Sequence, residues 1–198
     1  MRTLLLWSGL FLTLTTKGQD YIRQRKSPLI HGLFSYDFPH SYGLTVAGSF
    51  PLLSNTLKKP QNLHRTKFIS AELAGYRYPF EYTSLSANVA IGIRHIHSAT
   101  FFTELRFHQG ILRSVYDGKV YELEANGTIK EANLGGRTYL TSGFSYSLNW
   151  ALSRASSNPW FIQFRPFLWA QYPYNSFVQM HVSLQLGISY RLGKYRSL

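Results

Sequence analysis

Residues 177–192 read FVQMHVSLQLGISYRL, and their alternation decides the fold. The even positions are Val178, Met180, Val182, Leu184, Leu186, Ile188, Tyr190 and Leu192, all apolar. After Phe177 the odd positions are Gln179, His181, Ser183, Gln185, Gly187, Ser189 and Arg191, all polar or small. A period of two puts these sets on opposite faces of one β-strand. The run is longer than an ordinary soluble strand of about 5–6 residues. It fits a tilted strand with lipid on one face and a polar lumen on the other.

Working back along the chain, the same code recurs. In 138–152, Leu140, Phe144, Tyr146, Leu148, Trp150 and Leu152 oppose Thr141, Gly143, Ser145, Ser147 and Asn149. In 82–95, Leu85, Ala87, Val89, Ile91 and Ile93 oppose Ser84, Ser86, Asn88, Gly92 and Arg94. Weaker copies predict eight strands in all, at 28–38, 42–53, 66–78, 82–95, 99–115, 136–153, 159–172 and 176–192. No helical period of useful length follows residue 20. The expected fold is all-β: an antiparallel up-and-down transmembrane β-barrel of about eight strands, preceded by a signal peptide. A soluble barrel of lipocalin type would turn its apolar residues inward, and the charges at the lumen positions argue against it.

The chain has 198 residues, no cysteine, and 21 Lys+Arg against 9 Asp+Glu. Without cysteine there is no disulfide framework, thiolate metal site or cysteine nucleophile. Met1-Arg2, the apolar run Leu4–Leu14 and the small residues before Gln19 follow the grammar of a cleaved signal peptide, placed at 1–18. A mature start at Gln19 resembles exported Bacteroidota proteins. Export to the outer membrane of a Gram-negative cell removes nucleic acid as a partner, although a net charge of +12 would otherwise suggest it. The remaining segments are a basic periplasmic stretch at 19–27, the barrel at 28–192 and a tail at 193–198.

The lumen positions carry Glu72, Arg94, Glu104, Arg106, Arg165 and Arg191. In an eight-stranded barrel side chains just fill the interior, so these carboxylates should pair with the arginines as a polar plug. Tyr36, Tyr42, Tyr76, Tyr78, Tyr82, Tyr116, Tyr139, Tyr172 and Tyr174 cluster at the connections opposite the termini and are expected to form an interfacial girdle. One of those connections, 116–134, is long enough for a protruding hairpin, with a two-residue turn expected at Asn126-Gly127. Its Glu122, Glu124, Asn126 and Glu131 are candidate contacts for a basic partner. At the other end, Arg23, Arg25, Lys26, Lys58 and Lys59 form a basic periplasmic face suited to anionic headgroups or an acidic partner.

Catalytic and metal signals are thin. His97 and Ser98 are adjacent, and His95 and His97 offer two metal ligands with no carboxylate partner. No phosphate loop or zinc spacing occurs, and neither a cofactor nor a metal is expected. Strand number, alternation and polar interior together resemble the small outer-membrane barrels of the OmpA/OmpX type over about 28–192. That resemblance implies contact with outer-membrane lipid and lipopolysaccharide. The expected role is a non-enzymatic accessory or structural subunit docked to other envelope proteins. The alternative is a lipid-A-modifying acyl hydrolase, since some small barrels deacylate lipid A with a His-x-Ser motif. His97-Ser98 lacks that spacing.

Overall fold

The computed structural model describes residues 27–38, 40–52, 65–98, 100–118, 120–123, 127–132, 135–153, 159–174 and 177–192. The strands are β1 (Leu29–Asp37), β2 (Ser41–Pro51), β3 (Arg65–Tyr78), β4 (Tyr82–Ile96) and β5 (Phe101–Tyr116). They continue with β6 (Val120–Leu123), β7 (Ile129–Ala132), β8 (Gly136–Ala151), β9 (Trp160–Tyr174) and β10 (Phe177–Arg191). Eight of them close into a barrel in chain order, β1-β2-β3-β4-β5-β8-β9-β10, with β10 pairing back onto β1. Every pair is antiparallel. The signal segment, residues 19–26 of the basic stretch and the tail lie outside the described residues.

The register makes the alternation three-dimensional. Along β10, His181, Ser183, Gln185 and Ser189 are buried inside, whereas Val182, Leu184, Leu186 and Ile188 stand on the outer wall. Leu44, Val46, Leu73, Leu85, Ile91, Ile111, Leu140 and Phe144 continue this exposed apolar surface around the barrel. Polar inside and apolar outside is the reverse of a soluble barrel. It is the arrangement of a transmembrane barrel, whose closure leaves no unpaired edge in hydrocarbon.

The hairpin differs from its expected form. Strands β5 and β8 do not run on into it; β6 and β7 form a separate two-stranded ribbon. The base of the ribbon is fixed where the Tyr116 amide donates to the Gly135 carbonyl at 3.0 Å. The described pairs run to Leu123–Ile129 and leave five residues between them, an odd number that does not fit the register of a two-residue turn at Asn126-Gly127. Gly127 has φ 84°, a value glycine adopts without strain. The Pro79–Glu81 turn shows the opposite case. The Glu81 amide donates to the Tyr78 carbonyl at 3.2 Å, and Phe80 sits at φ 66°. Proline second and positive φ third is the type II pattern, where glycine is the usual third residue.

The seam between β1 and β10 depends on one close approach. A Cβ on Gly187 would stand 2.0 Å from the Gly32 carbonyl oxygen, whereas a Cβ on Gly32 would meet nothing within 4 Å. Gly187→Val is therefore expected to cost roughly 1–3 kcal/mol by forcing the strands apart, and Gly32→Ala to be close to neutral. Equilibrium urea unfolding from lipid vesicles checks the pair, and equal effects would show that the seam tolerates a side chain.

Candidate functional site

The interior is organised in layers. At the rim where β1 begins and β10 ends, Leu29, Ile96, Phe102 and Phe161 form a buried apolar plug. Near the hairpin end, Leu112, Tyr139, Phe167 and Trp169 form a second one. Tyr76 stacks on Trp169 with ring centroids 6.2 Å apart. Between the plugs lies a chain of ionic groups contributed by β3, β4, β5 and β9.

Glu104 binds two arginines: Arg94 Nε donates to Oε1 at 2.7 Å and Arg106 Nη2 donates to Oε2 at 2.5 Å. Arg106 continues the chain, its Nη1 donating to Glu72 Oε1 at 2.9 Å. Arg165 grips the same carboxylate with both terminal nitrogens, Nη1 to Oε1 at 2.8 Å and Nη2 to Oε2 at 3.1 Å. Charge-assisted and bidentate bonds are the strong ones, and here they offset the removal of five ionised groups from water. Neutral groups extend the chain to the wall. Arg165 bonds to Gln185, whose amide donates to Ser35 at 2.9 Å. His31 Nδ1 lies 2.7 Å from Ser189 Oγ, and His108 Nε2 lies 2.7 Å from Ser145 Oγ.

Five of the six interior candidates, Glu72, Arg94, Glu104, Arg106 and Arg165, thus meet in one network. The sixth, Arg191, lies over the Phe161 ring at 4.7 Å, against the apolar plug. A second buried network was absent from the sequence reading. Asp37 Oδ2 accepts from Tyr78 Oη at 2.6 Å and lies 3.0 Å from His181 Nδ1, while Oδ1 accepts from Ser183 Oγ at 2.6 Å. Parity along β1 and β10 places Asp37, His181 and Ser183 on the inward face, so strict counting would have found it.

Counting also corrects the girdle. Tyr36, Tyr42 and Tyr172 face outward, but Tyr76 and Tyr139 are buried in the lumen, and Tyr78, Tyr82 and Tyr116 share their inward parity. Tyr82, Tyr116 and Tyr139 line the mouth instead. A half-open cavity of about 340 Å³ there is walled by Glu81, Tyr82, Ser114, Tyr116, Tyr139 and Gln171.

Of the hairpin candidates, Glu122 and Glu131 belong to the ribbon backbone, opposite Lys130 and Tyr121, while Glu124 and Asn126 lie outside the described residues. Arg23, Arg25, Lys26, Lys58 and Lys59 also lie outside them. The sequence reading missed the exposed apolar side chains near the ribbon. Phe80 is 98% exposed, Tyr121 59% and Ile129 72%. Phe80 occupies the third position of the Pro79 turn, beyond the reach of strand alternation.

Ser98 Oγ lies 3.2 Å from Thr100 Oγ1, and His97 Nε2 lies 3.1 Å from Thr103 Oγ1 rather than on the serine. Among the described residues, no group of three or more His, Asp or Glu is placed to hold a metal ion.

Glu104→Ala should destabilise the barrel by about 3–5 kcal/mol, because it leaves two buried arginines short of a counter-charge. Tyr121→Ala, on the ribbon, should stay within about 0.5 kcal/mol. Equilibrium unfolding in lipid measures both, and similar values would contradict the sealed ionic layer.

No family model and no curated protein matches the chain. Solved structures do. Ail, the attachment invasion locus protein of Yersinia pestis, solved with the heparin analogue sucrose octasulfate, aligns with a TM-score of 0.50 at 11% identity over 84% of this chain and 97% of its own. Neisserial surface protein A aligns with a TM-score of 0.49 at 10% identity, over 84% of this chain and 94% of its own. The N-terminal barrel of Pseudomonas aeruginosa OprF aligns at 0.42 and 11%, over 85% and 98%. At such identity the likeness concerns architecture, and that architecture is the small eight-stranded outer-membrane barrel of the OmpA/OmpX type.

Proposed function

We propose that this chain is a non-enzymatic barrel of the bacterial outer membrane that serves as an accessory subunit, docking a larger envelope protein at its hairpin end. The observation behind this reading is a contrast at one rim. Below it the lumen is filled by an apolar plug and ionic pairs, which suits neither a pore nor a reaction chamber. Above it Phe80, Tyr121 and Ile129 project from the barrel.

Phe80 adds an energetic argument. A bulky residue at positive φ costs of order 1–3 kcal/mol, and such strain persists where the surroundings enforce it. Here the turn is tied to the base of the ribbon, where the Asp117 amide donates to the Glu81 carbonyl at 3.0 Å and Arg77 pairs with Asp117 at 2.6 Å. The turn and the ribbon base thus form one braced surface. Its exposed apolar groups, with Glu122 and Glu131 in the ribbon, suit a partner offering apolar pockets and a basic rim. The hairpin end then faces the exterior, and the rim carrying the basic residues faces the periplasm.

The folded protein should partition with outer membranes and migrate differently on gels before and after boiling. Replacing Lys119–Glu131 with a short Gly-Asn turn should leave assembly intact and abolish co-purification of the partner from solubilised envelopes. Phe80→Gly should relax the turn and hold or raise stability while weakening co-purification. Unchanged recovery of the same partners in both variants would move the contact away from this end.

A further inference from the structure

We propose that the outer wall of β3–β5, at the rim where β1 begins and β10 ends, is a binding site for one anionic phospholipid. Arg65, Lys67, His95 and His97 hold its phosphodiester in this assignment.

Among the described residues, the outward-facing positions of the barrel strands carry four Lys or Arg side chains, Arg65, Lys67, Arg77 and Arg113, and no Asp or Glu. All four lie on β3 or β5. Two are engaged at the hairpin rim: Arg77 pairs with Asp117 at 2.6 Å, and Arg113 Nη1 donates to Thr138 at 3.1 Å. The other two stand at the opposite rim on the same face of β3, two residues apart, and both are exposed.

The register brings the histidines beside them. Arg65 is the cross-strand partner of His95, and Lys67 that of Ile93. Directly opposed residues place their Cβ atoms about 4.5–5.5 Å apart, so Arg65 and His95 form the centre of the site, with Lys67 two residues deeper on the wall and His97 two residues nearer the rim. The His95 and His97 rings lie 4.5 Å apart, with Nδ1 and Nε2 at 3.3 Å. His97 stacks on Phe101 at 5.1 Å, and Phe101 on Trp150 at 5.2 Å. The nitrogen donors therefore sit at the edge of an aromatic shelf at headgroup level.

What lies next to the cluster sets the ligand class. One and two pairs deeper on the same face are Ile93, then the pair Ile69–Ile91, all exposed on the wall. Cations above an unbroken aliphatic stripe match a phosphodiester with acyl chains. A free phosphate would use the cations alone, and a zwitterionic lipid would meet the cations with its own positive group. The site is separate from the docking surface proposed above, on the opposite rim.

The test uses the folded full-length barrel in neutral detergent micelles, with native mass spectrometry counting retained lipid. The probes are phosphatidylglycerol, phosphatidylcholine and inorganic phosphate. One phosphatidylglycerol should be retained per barrel, in preference to phosphatidylcholine, and millimolar phosphate should not displace it. Arg65→Gln with Lys67→Gln should weaken retention about tenfold or more, since each basic group near an anionic surface contributes on the order of a factor of five. His95→Gln with His97→Gln should also weaken it, and provides the test if the first variant does not fold. Arg77→Gln with Arg113→Gln, at the other rim, should leave it unchanged. Equal retention of both lipids, displacement by phosphate, or equal loss in the two arginine variants would overturn the assignment.

Discussion

Pairing of β10 back onto β1 is the constraint on which everything else depends. In hydrocarbon an unpaired backbone group costs several kcal/mol, so a sheet with two free edges cannot persist there. Closure removes both edges at once, and it also fixes what each side chain can do. Once β1 and β10 are in register, from Leu29–Arg191 to Asp37–Ser183, every odd position of β10 must find a partner in the lumen. A slip of one residue would turn Gln185 and Ser189 into lipid and Leu184 and Leu186 into the charged interior. The seam is therefore held by what it separates as much as by its own hydrogen bonds.

The lumen then answers a packing problem with charge. Small residues such as Ser35, Ser49, Ser145 and Ser189 line much of the wall and leave room for long side chains to cross the axis. Arginine fills that space and carries several donors, which two glutamates and the wall hydroxyls accept. The apolar plugs at either end exclude water from these pairs and strengthen them. Interior polarity here is a way to pack a narrow cylinder, and need not signal conduction or chemistry.

Much of this was legible in the sequence because period two is a strong signal when sustained. Eight strands, their faces and the inward set from Glu72 to Arg165 follow from counting alternate residues. What counting did not give was position around the circle. That Arg165 of β9 meets Glu72 of β3 is a fact of closure, since the two are 93 residues apart and share no strand pair. The tyrosines went astray differently: clustering near loops suggested a girdle, while parity sends Tyr76 and Tyr139 inside. The ribbon was visible as a long connection, but its detachment from the barrel sheet depends on where pairing stops, at Tyr116 and Gly136. Phe80 was invisible because it sits in a turn, where period-two counting assigns no face.

The ionic layer has a temporal side. Arg94 and Glu104 are register partners on adjacent strands, so the β4–β5 hairpin can neutralise them by itself. The Arg106–Glu72 pair requires β3 as well, and the Arg165–Glu72 pair requires the sheet to have curled until β9 faces β3. Loop-closure entropy grows with that separation, so local pairs form at lower entropic cost than distant ones. An open sheet would thus carry Arg165 without its carboxylate, and the last strands to arrive remove that mismatch. Arg165 is therefore the last of these charges to meet its carboxylate, and it does so only when β9 and β3 face each other across the lumen.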